Sequence, residues 1–286
     1  MLICLTWDCI SMKLVRKIHH LLHPKVGEIW CLHRVVNNRS IFLSNRDLEV
    51  TTPYFESLIV EKLSQGFRFV DIDTFIATSE SHWKGHKLIN VSFDDGYQDV
   101  FDNAYPILRK YGIPFTVYVT TDMPDGEADL WWLQMEQLAN KDTLFFEQLM
   151  SQIYASNVDF GLAMHQLTGT SKDLRLCRKY SLSWQGLLEL SKDRLCTIGS
   201  HCVSHSAMPL LKPDKWLNQL QGSKSRLESM LGIQVNHFSY PHSLFNLDIN
   251  ELVLNVGYQS AVIGYGDYTR HHMGSKLFYR KNVVEL

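Results

Sequence analysis

The chain lacks most of the features that narrow a function from composition alone. It has six cysteines in 286 residues, and none forms a Cys-x-x-Cys pair or a spacing that suggests a disulfide framework or a zinc knuckle. They read as reduced thiols, the usual state in a cytosolic protein. No apolar run approaches the roughly 18 residues that a membrane-spanning helix needs. A charge excess is also missing. The 28 basic and 30 acidic residues give a formal net charge of −2, which argues against a polyanionic partner such as nucleic acid. There is no internal repeat and no low-complexity linker. The opening stretch MLICLTWDCISMKLVRK has no basic n-region, and Asp8 interrupts its short apolar run, so it does not read as a secretory leader. Met12 reads as a more natural start, and the expected location is cytoplasmic. Residues 12–23 have the pattern of a basic amphipathic helix, which either packs on the domain or makes a peripheral membrane contact.

What is present is ordinary globular composition, 45% hydrophobic and 20% charged, with 13 histidines. Strand-like segments such as GEIWCLHRV, RFVDIDTFI, KLINVSF, PFTVYVTT, LCTIGS, VNHFSYP and a closing LFYRKNVVEL recur along the chain. Amphipathic helices such as TPYFESLIVEKLSQGF and PDKWLNQLQGSKSRLESMLG separate them. In FDNAYPILRKYGI, Pro106 is expected in the first helical turn, where it is tolerated. Strands joined by helices imply parallel βαβ units. The predicted fold is α/β, a distorted (β/α) barrel that is either complete or short of a strand. Residues 1–26 are assigned to an N-terminal extension and helix, and 27–286 to the barrel domain. Residues from about 122 to 180 include DLWWLQMEQLAN and KDTLFFEQLMSQIYA and are expected to form a helical insertion. In a barrel, active-site groups sit just past the strand C-termini.

Three stretches fall at such places. VSFDDGYQDV sets Asp94 and Asp95 at a strand end, and Gly96 allows a sharp turn. Taken alone, a surface turn explains it as well as a site does. IGSHCVSHSAM sets His201 and His205 four apart past another strand. That spacing puts both rings on one face of a helical turn, which suits two ligands of one metal; two solvent-facing histidines are the bland alternative. HFSYPHSLFN offers an aromatic ring and a rigid turn at Tyr240 and Pro241, or only a turn. Jointly they say more. Two histidines and one carboxylate are a common catalytic metal set with positions open for water and substrate. The second carboxylate is then free to act as general base.

These residues resemble the polysaccharide deacetylases, carbohydrate esterase family four. That family carries Thr-Phe-Asp-Asp-Gly, His-(Ser/Thr)-x-x-His and an aromatic-Pro motif in this order. Here they read Ser92-Phe93-Asp94-Asp95-Gly96, His201-Cys202-Val203-Ser204-His205 and Tyr240-Pro241, within matching contexts from about residue 29 onward. The resemblance implies a distorted barrel that removes N-acetyl groups from an amino-sugar-containing glycan; the lack of a secretory leader points to a cytosolic step on a lipid-linked or nucleotide-linked precursor. The resemblance implies Asp94 as general base, and Asp95, His201 and His205 as ligands of a divalent metal, with Zn²⁺ expected and Co²⁺, Ni²⁺ or Mn²⁺ as alternatives. The family's usual acid, a histidine in a C-terminal Leu-x-His, has no counterpart here. Some members fill that place from a first strand ending in Tyr-His-x-Val, so His33 in CLHRV is the expected acid. Tyr97, Tyr240, Pro241, His242 and Arg280 are assigned to the substrate side, with the Tyr97 backbone N–H as an oxyanion donor. The arginine that many members place two residues before the proline is replaced by Ser239, and Arg280 is the candidate to supply that cation near Asp94. Cys202 stands where the family has Ser or Thr, and a thiol is the poorer donor. Trp131 and Trp132 in the insertion either stack on sugar rings or pack against the barrel. The competing expectations are a hydrolase of the same fold acting on another amide or ester, a non-catalytic carbohydrate-binding relic, and a membrane-surface scaffold.

Overall fold

A computed structural model describes residues 27–80, 87–264 and 276–286. The expected N-terminal helix at 12–23, and Cys4 and Cys9, lie outside the described residues. Among those described, no helix is long and apolar enough to cross a membrane.

The main sheet is parallel throughout. Strand β1 (Gly27–Leu32) pairs along its whole length with β5 (Leu88–Phe93). From β5 the sheet continues through β6 (Phe115–Val119), β7 (Cys196–Ser200), β8 (His237–Ser239), β9 (Ser260–Ile263) and β10 (Leu277–Tyr279). On the other side of β1 lies β11 (Lys281–Asn282). Strands β10 and β11 are consecutive in the chain and flank the single residue Arg280. One pairs with β9 and the other with β1, so the two ends of the sheet meet across Arg280 and the barrel comes close to closure. The stretch expected as one closing strand is therefore two short ones that serve opposite edges.

Two other segments differ from expectation. GEIWCLHRV breaks at His33. Arg34–Val36 (β2) turns out of the barrel and pairs with Glu49–Thr51 (β3), where the Arg34 guanidinium bonds Glu49 at 2.6 Å and Asp99 at 2.8 Å. In RFVDIDTFI only Arg68–Phe69 (β4) is strand, beside β5. Asp71 Oδ1 accepts from the Thr74 backbone N–H at 2.7 Å and starts a helix over Ile72–Glu80, as a short carboxylate before a helix commonly does. Pro106 does fall in the first turn of the helix Tyr105–Tyr111.

Side-chain alternation along the strands divides the core. On β5, Ile89, Val91 and Phe93 pack outward under the helices, in the large apolar cluster. The polar groups of Asn90, Ser92 and then Asp94 are buried, and Arg280 bonds both Ser92 and Asp94 from across the barrel. Ile29, Tyr118, Val262 and Phe278 form a smaller apolar cluster with Leu88. Gly199 on β7 makes room for Tyr118: a methyl group there would sit 2.4 Å from the ring. The Tyr118 ring lies 5.5 Å from the Arg280 guanidinium carbon. Between β6 and β7 the chain makes a helical excursion, including Trp131–Ala139 (α1), Thr143–Ala155 (α2), Phe160–Thr168 (α3) and Leu174–Tyr180 (α4).

Gly199→Ala overpacks this layer and is expected to cost about 1–3 kcal/mol, read from the midpoint of denaturant unfolding. An unchanged midpoint would mean that Tyr118 moves freely and that the layer is loosely packed.

Candidate active site

Register delivers the polar groups to one rim. Leu32 pairs with Phe93, so His33 and Asp94 are the next residues on adjacent strands, and Asp94 N donates to Leu32 O at 3.0 Å. Val119 pairs with Ser200, and His201 N then donates to Val119 O at 2.9 Å. Tyr240, Gly264 and Arg280 each follow the last residue of β8, β9 and β10. The parallel sheet thus places one residue per strand at the same end, as expected of barrel sites.

At the aspartate pair the backbone separates two neighbours. Asp95 has φ 73°, in the left-handed region, and Gly96 has φ 99°. A β-carbon on Gly96 would lie 3.4 Å from Val119, and the φ alone disfavours a side chain there. The turn sends Asp94 into the barrel and Asp95 toward the histidines. Asp94 is sealed in a fork: Arg280 Nη1 donates to Oδ1 at 2.7 Å and Nη2 to Oδ2 at 2.5 Å. Ser239 Oγ donates to the same Oδ2 at 3.1 Å. Burial raises the Asp94 carboxyl, but Arg280 and His201 outweigh it and hold the group below its usual range. Asp94 is an anion here at neutral pH.

Asp95 Oδ1 lies 3.4 Å from His201 Nε2 and 3.1 Å from His205 Nε2. These three ligand atoms fall within 4.8 Å of one another. Atoms bound tetrahedrally at the usual zinc distances are roughly 3.3 Å apart, so the separations suit one small cation. The His201 ring is oriented by Nδ1, which is 2.7 Å from Ser239 O; donating there leaves Nε2 with its lone pair toward Asp95. Asp95 Oδ1 itself is buried with no hydrogen-bond donor among the described residues. Arg280 balances Asp94, and Asp95 has only the two imidazoles beside it, a place where a cation would balance its charge. The Asp95, His201, His205 set therefore fits a divalent metal. The two histidines are not on a helix, as the spacing suggested. They sit on a turn in which Cys202 and His205 have φ 65° and 56°.

A second triple, Cys31, His33 and Asp94, also brings possible ligand atoms within 4.8 Å. It suits a cation poorly, because both Asp94 oxygens already accept from Arg280. Burial pushes the Cys31 thiol up to about 12, so it stays protonated. His33 is half-buried beside Asp94. Burial lowers its pKa, and the two aspartates only partly offset this.

Above the rim opens a cavity of about 480 Å³, lined by His33, Asp94, Asp95, His201 and His205 from the barrel. Trp131, Trp132, Tyr154 and Phe160 of the excursion also line it. Tyr240 and His242 line the cavity. Two substrate-side assignments, Pro241 and Arg280, do not stand, and of Tyr97 the side chain does not reach the cavity. Tyr97 is 1% exposed beneath Trp132, whose Nε1 donates to its hydroxyl at 2.8 Å. Pro241 is buried and only turns the chain. Arg280 is 1% exposed and reaches Asp94 rather than the cavity. Sequence reasoning missed Ser239, which serves Asp94 through its hydroxyl and His201 through its carbonyl. Its place two residues before Pro241 was the available signal.

The polysaccharide deacetylase family model matches residues 83–261, more than half of the chain. A putative polysaccharide deacetylase of Bacillus subtilis is 23% identical over 62% of this chain and 44% of its own length. A poly-beta-1,6-N-acetyl-D-glucosamine N-deacetylase of Staphylococcus aureus is 31% identical over 49% of each. The chain thus spans about half the length of the curated relatives it matches. Among solved structures, Streptococcus pyogenes deacetylase PplD in complex with acetate superposes with a TM-score of 0.65 at 16% identity, over 91% of this chain and 93% of that one. IcaB from Ammonifex degensii gives 0.62 at 18% identity, over 92% and 93%. These likenesses carry the fold. The family match stops short of both His33 and Arg280, whose placement rests on this chain's own geometry.

Arg280→Gln leaves Asp94 a buried charge without its cation and is expected to cost about 3–5 kcal/mol at neutral pH. Because the folded pKa of Asp94 is depressed, the stabilisation is present above the unfolded carboxylate value and is lost as pH falls through the folded one. The deficit measured by denaturant unfolding should therefore shrink on acidification below about pH 4. A deficit independent of pH would show that packing, not the ion pair, was lost.

Proposed function

The chain belongs to the polysaccharide deacetylase family, and we propose that it is a metal-dependent hydrolase that removes N-acetyl groups from an amino-sugar-containing glycan. The observation that carries this is the shared rim. A set that fits a cation (Asp95, His201, His205) and an anion clamped by arginine (Asp94) open on one cavity large enough for a sugar unit. The staphylococcal relative is named for poly-beta-1,6-N-acetyl-D-glucosamine, and a polymer of that kind is the proposed substrate class. Zn²⁺ is the proposed metal.

When bound, the cation supplies Lewis-acid polarisation of the acetamide carbonyl and acidifies water at the site. Asp94 takes the proton of the attacking water. Arg280 keeps Asp94 ionised and aimed, so the base is ready without reorganisation, but it also makes Asp94 a weak one. The proton therefore does not stay on Asp94. His33, neutral in the buried free site and within 4.8 Å of Asp94, accepts it and delivers it to the departing amine. A backbone N–H at the Asp95–Tyr97 turn, that of Tyr97, stabilises the oxyanion. Trp131, Trp132 and Phe160 exclude bulk water from one side.

The test is acetate release from N-acetylglucosamine oligomers after Zn²⁺ loading, beside metal analysis of each variant. Asp94→Asn should keep one equivalent of metal and lose about 10²–10⁴-fold in turnover. Asp95→Ala should lose both. A wild type that takes up no Zn²⁺ or Co²⁺ would sink the reading, and so would retained turnover in Asp94→Asn.

A further inference from the structure

His201 and His205 differ in what holds their outer nitrogen. His201 Nδ1 is bonded to Ser239 O at 2.7 Å. His205 Nδ1 is buried and has no hydrogen-bond partner among the described residues. If Nε2 faces the metal, Nδ1 must carry the proton and needs an acceptor. The excursion supplies one nearby. Asp129 Oδ1 is likewise buried without a partner. Both residues line one small void of about 20 Å³, just above the size that holds a single water.

The Asp129 carboxylate is itself held in place. Its Oδ2 lies 2.9 Å from His165 Nε2 on α3, and His165 Nδ1 lies 3.1 Å from Thr170 Oγ1. A methyl group on Gly161 would come within 2.6 Å of Oδ2, so the backbone of α3 also confines the group. With Oδ2 occupied, Oδ1 is the oxygen left to accept.

We propose that Asp129 is a positioning residue for the metal ligand His205, its Oδ1 accepting the Nδ1–H of that ring through one water held in the void they share. This rests on the reading that Asp95, His201 and His205 bind a metal. The geometry makes the helical excursion part of the metal site as well as a wall of the cavity. A carboxylate behind a metal-bound imidazole sets its tautomer and raises its basicity, and losing such a partner typically weakens metal affinity about 10–100-fold.

The test is competitive titration of Zn²⁺ against a chelating indicator, with the visible spectrum of the Co²⁺ form and the melting temperature of the metal-free protein measured alongside. Asp129→Ala is expected to bind Zn²⁺ about 10–100-fold more weakly and to shift the Co²⁺ spectrum, while the metal-free melting temperature changes little. Asp129→Asn keeps the shape but not the charge, and should fall between Ala and wild type. A purely structural role would move the melting temperature and leave affinity and spectrum alone, and would overturn the proposal. Should Asp129→Ala fail to fold, wild-type affinity in Asp129→Asn overturns it equally. A wild type that binds no metal overturns this proposal and the metal site together, whereas equal affinity in all three proteins overturns only the role of Asp129.

Discussion

Arg280 and Asp94 are opposite charges sealed inside a barrel, and most of the site depends on how they are held. Taking both ions out of water costs several kcal/mol each, which only good geometry and further hydrogen bonds repay. The surroundings supply both. The guanidinium forks onto the carboxylate, and Ser92 and Ser239 hydroxyls complete the set. Tyr118 gives it a ring face, in the space that Gly199 leaves open. Arg280 is also the joint between β10 and β11, so the group that charges the site sits where the sheet meets itself. Closure and electrostatics are thus one constraint.

That constraint explains why two adjacent aspartates end in different environments. Asp94 continues the inward alternation of β5 and meets Arg280. Asp95, with its left-handed backbone, leaves the strand and meets two imidazole nitrogens instead. Had both carboxylates faced one cation, they would have competed for it. With Arg280 occupying Asp94, Asp95 alone of the pair faces the two histidines. The ionised state of Asp94 and the availability of Asp95 have the same cause.

The barrel was legible because buried parallel strands read as short apolar runs between amphipathic helices, and LINVSF or FTVYV admit little else. The motif residues were legible because strand ends collect them. What misled was local. RFVDIDTFI is apolar enough for a strand, yet one Asp71 side chain caps a helix in its middle. The four-residue spacing of His201 and His205 suggested a helical turn, and a turn with two left-handed residues satisfied the same spacing differently. The Tyr97 hydroxyl accepts from Trp132, a contact 35 positions away that no local pattern encodes, and this buries the ring beneath the excursion. Arg280 is the converse. Its position suggests both a cation for Asp94 and a group on the substrate side, and its side chain lies only at the first.

The helical excursion is where sequence said least, because amphipathic helices announce burial without saying against what. Its Trp pair reads as packing against the barrel more readily than as a sugar platform, without saying which ring does what. The structure gives the two rings separate tasks. Trp132 donates to Tyr97 and leans on His205, ring centres 5.1 Å apart, while Trp131 stands 6.4 Å from His242. Both are nearly buried and both still line the cavity. An aromatic wall fixed by its own hydrogen bond cannot reshape itself around a ligand at low cost, so the cavity is largely preformed. A barrel rim alone leaves its polar side chains open to water on the upper side. Here Trp132 of the excursion packs on His205, which lowers the local dielectric around Asp95, His201 and His205 and strengthens the charge interactions among them. The excursion therefore belongs to the chemistry of the rim, and variation in it would alter how strongly Asp95, His201 and His205 act as well as what fits above them.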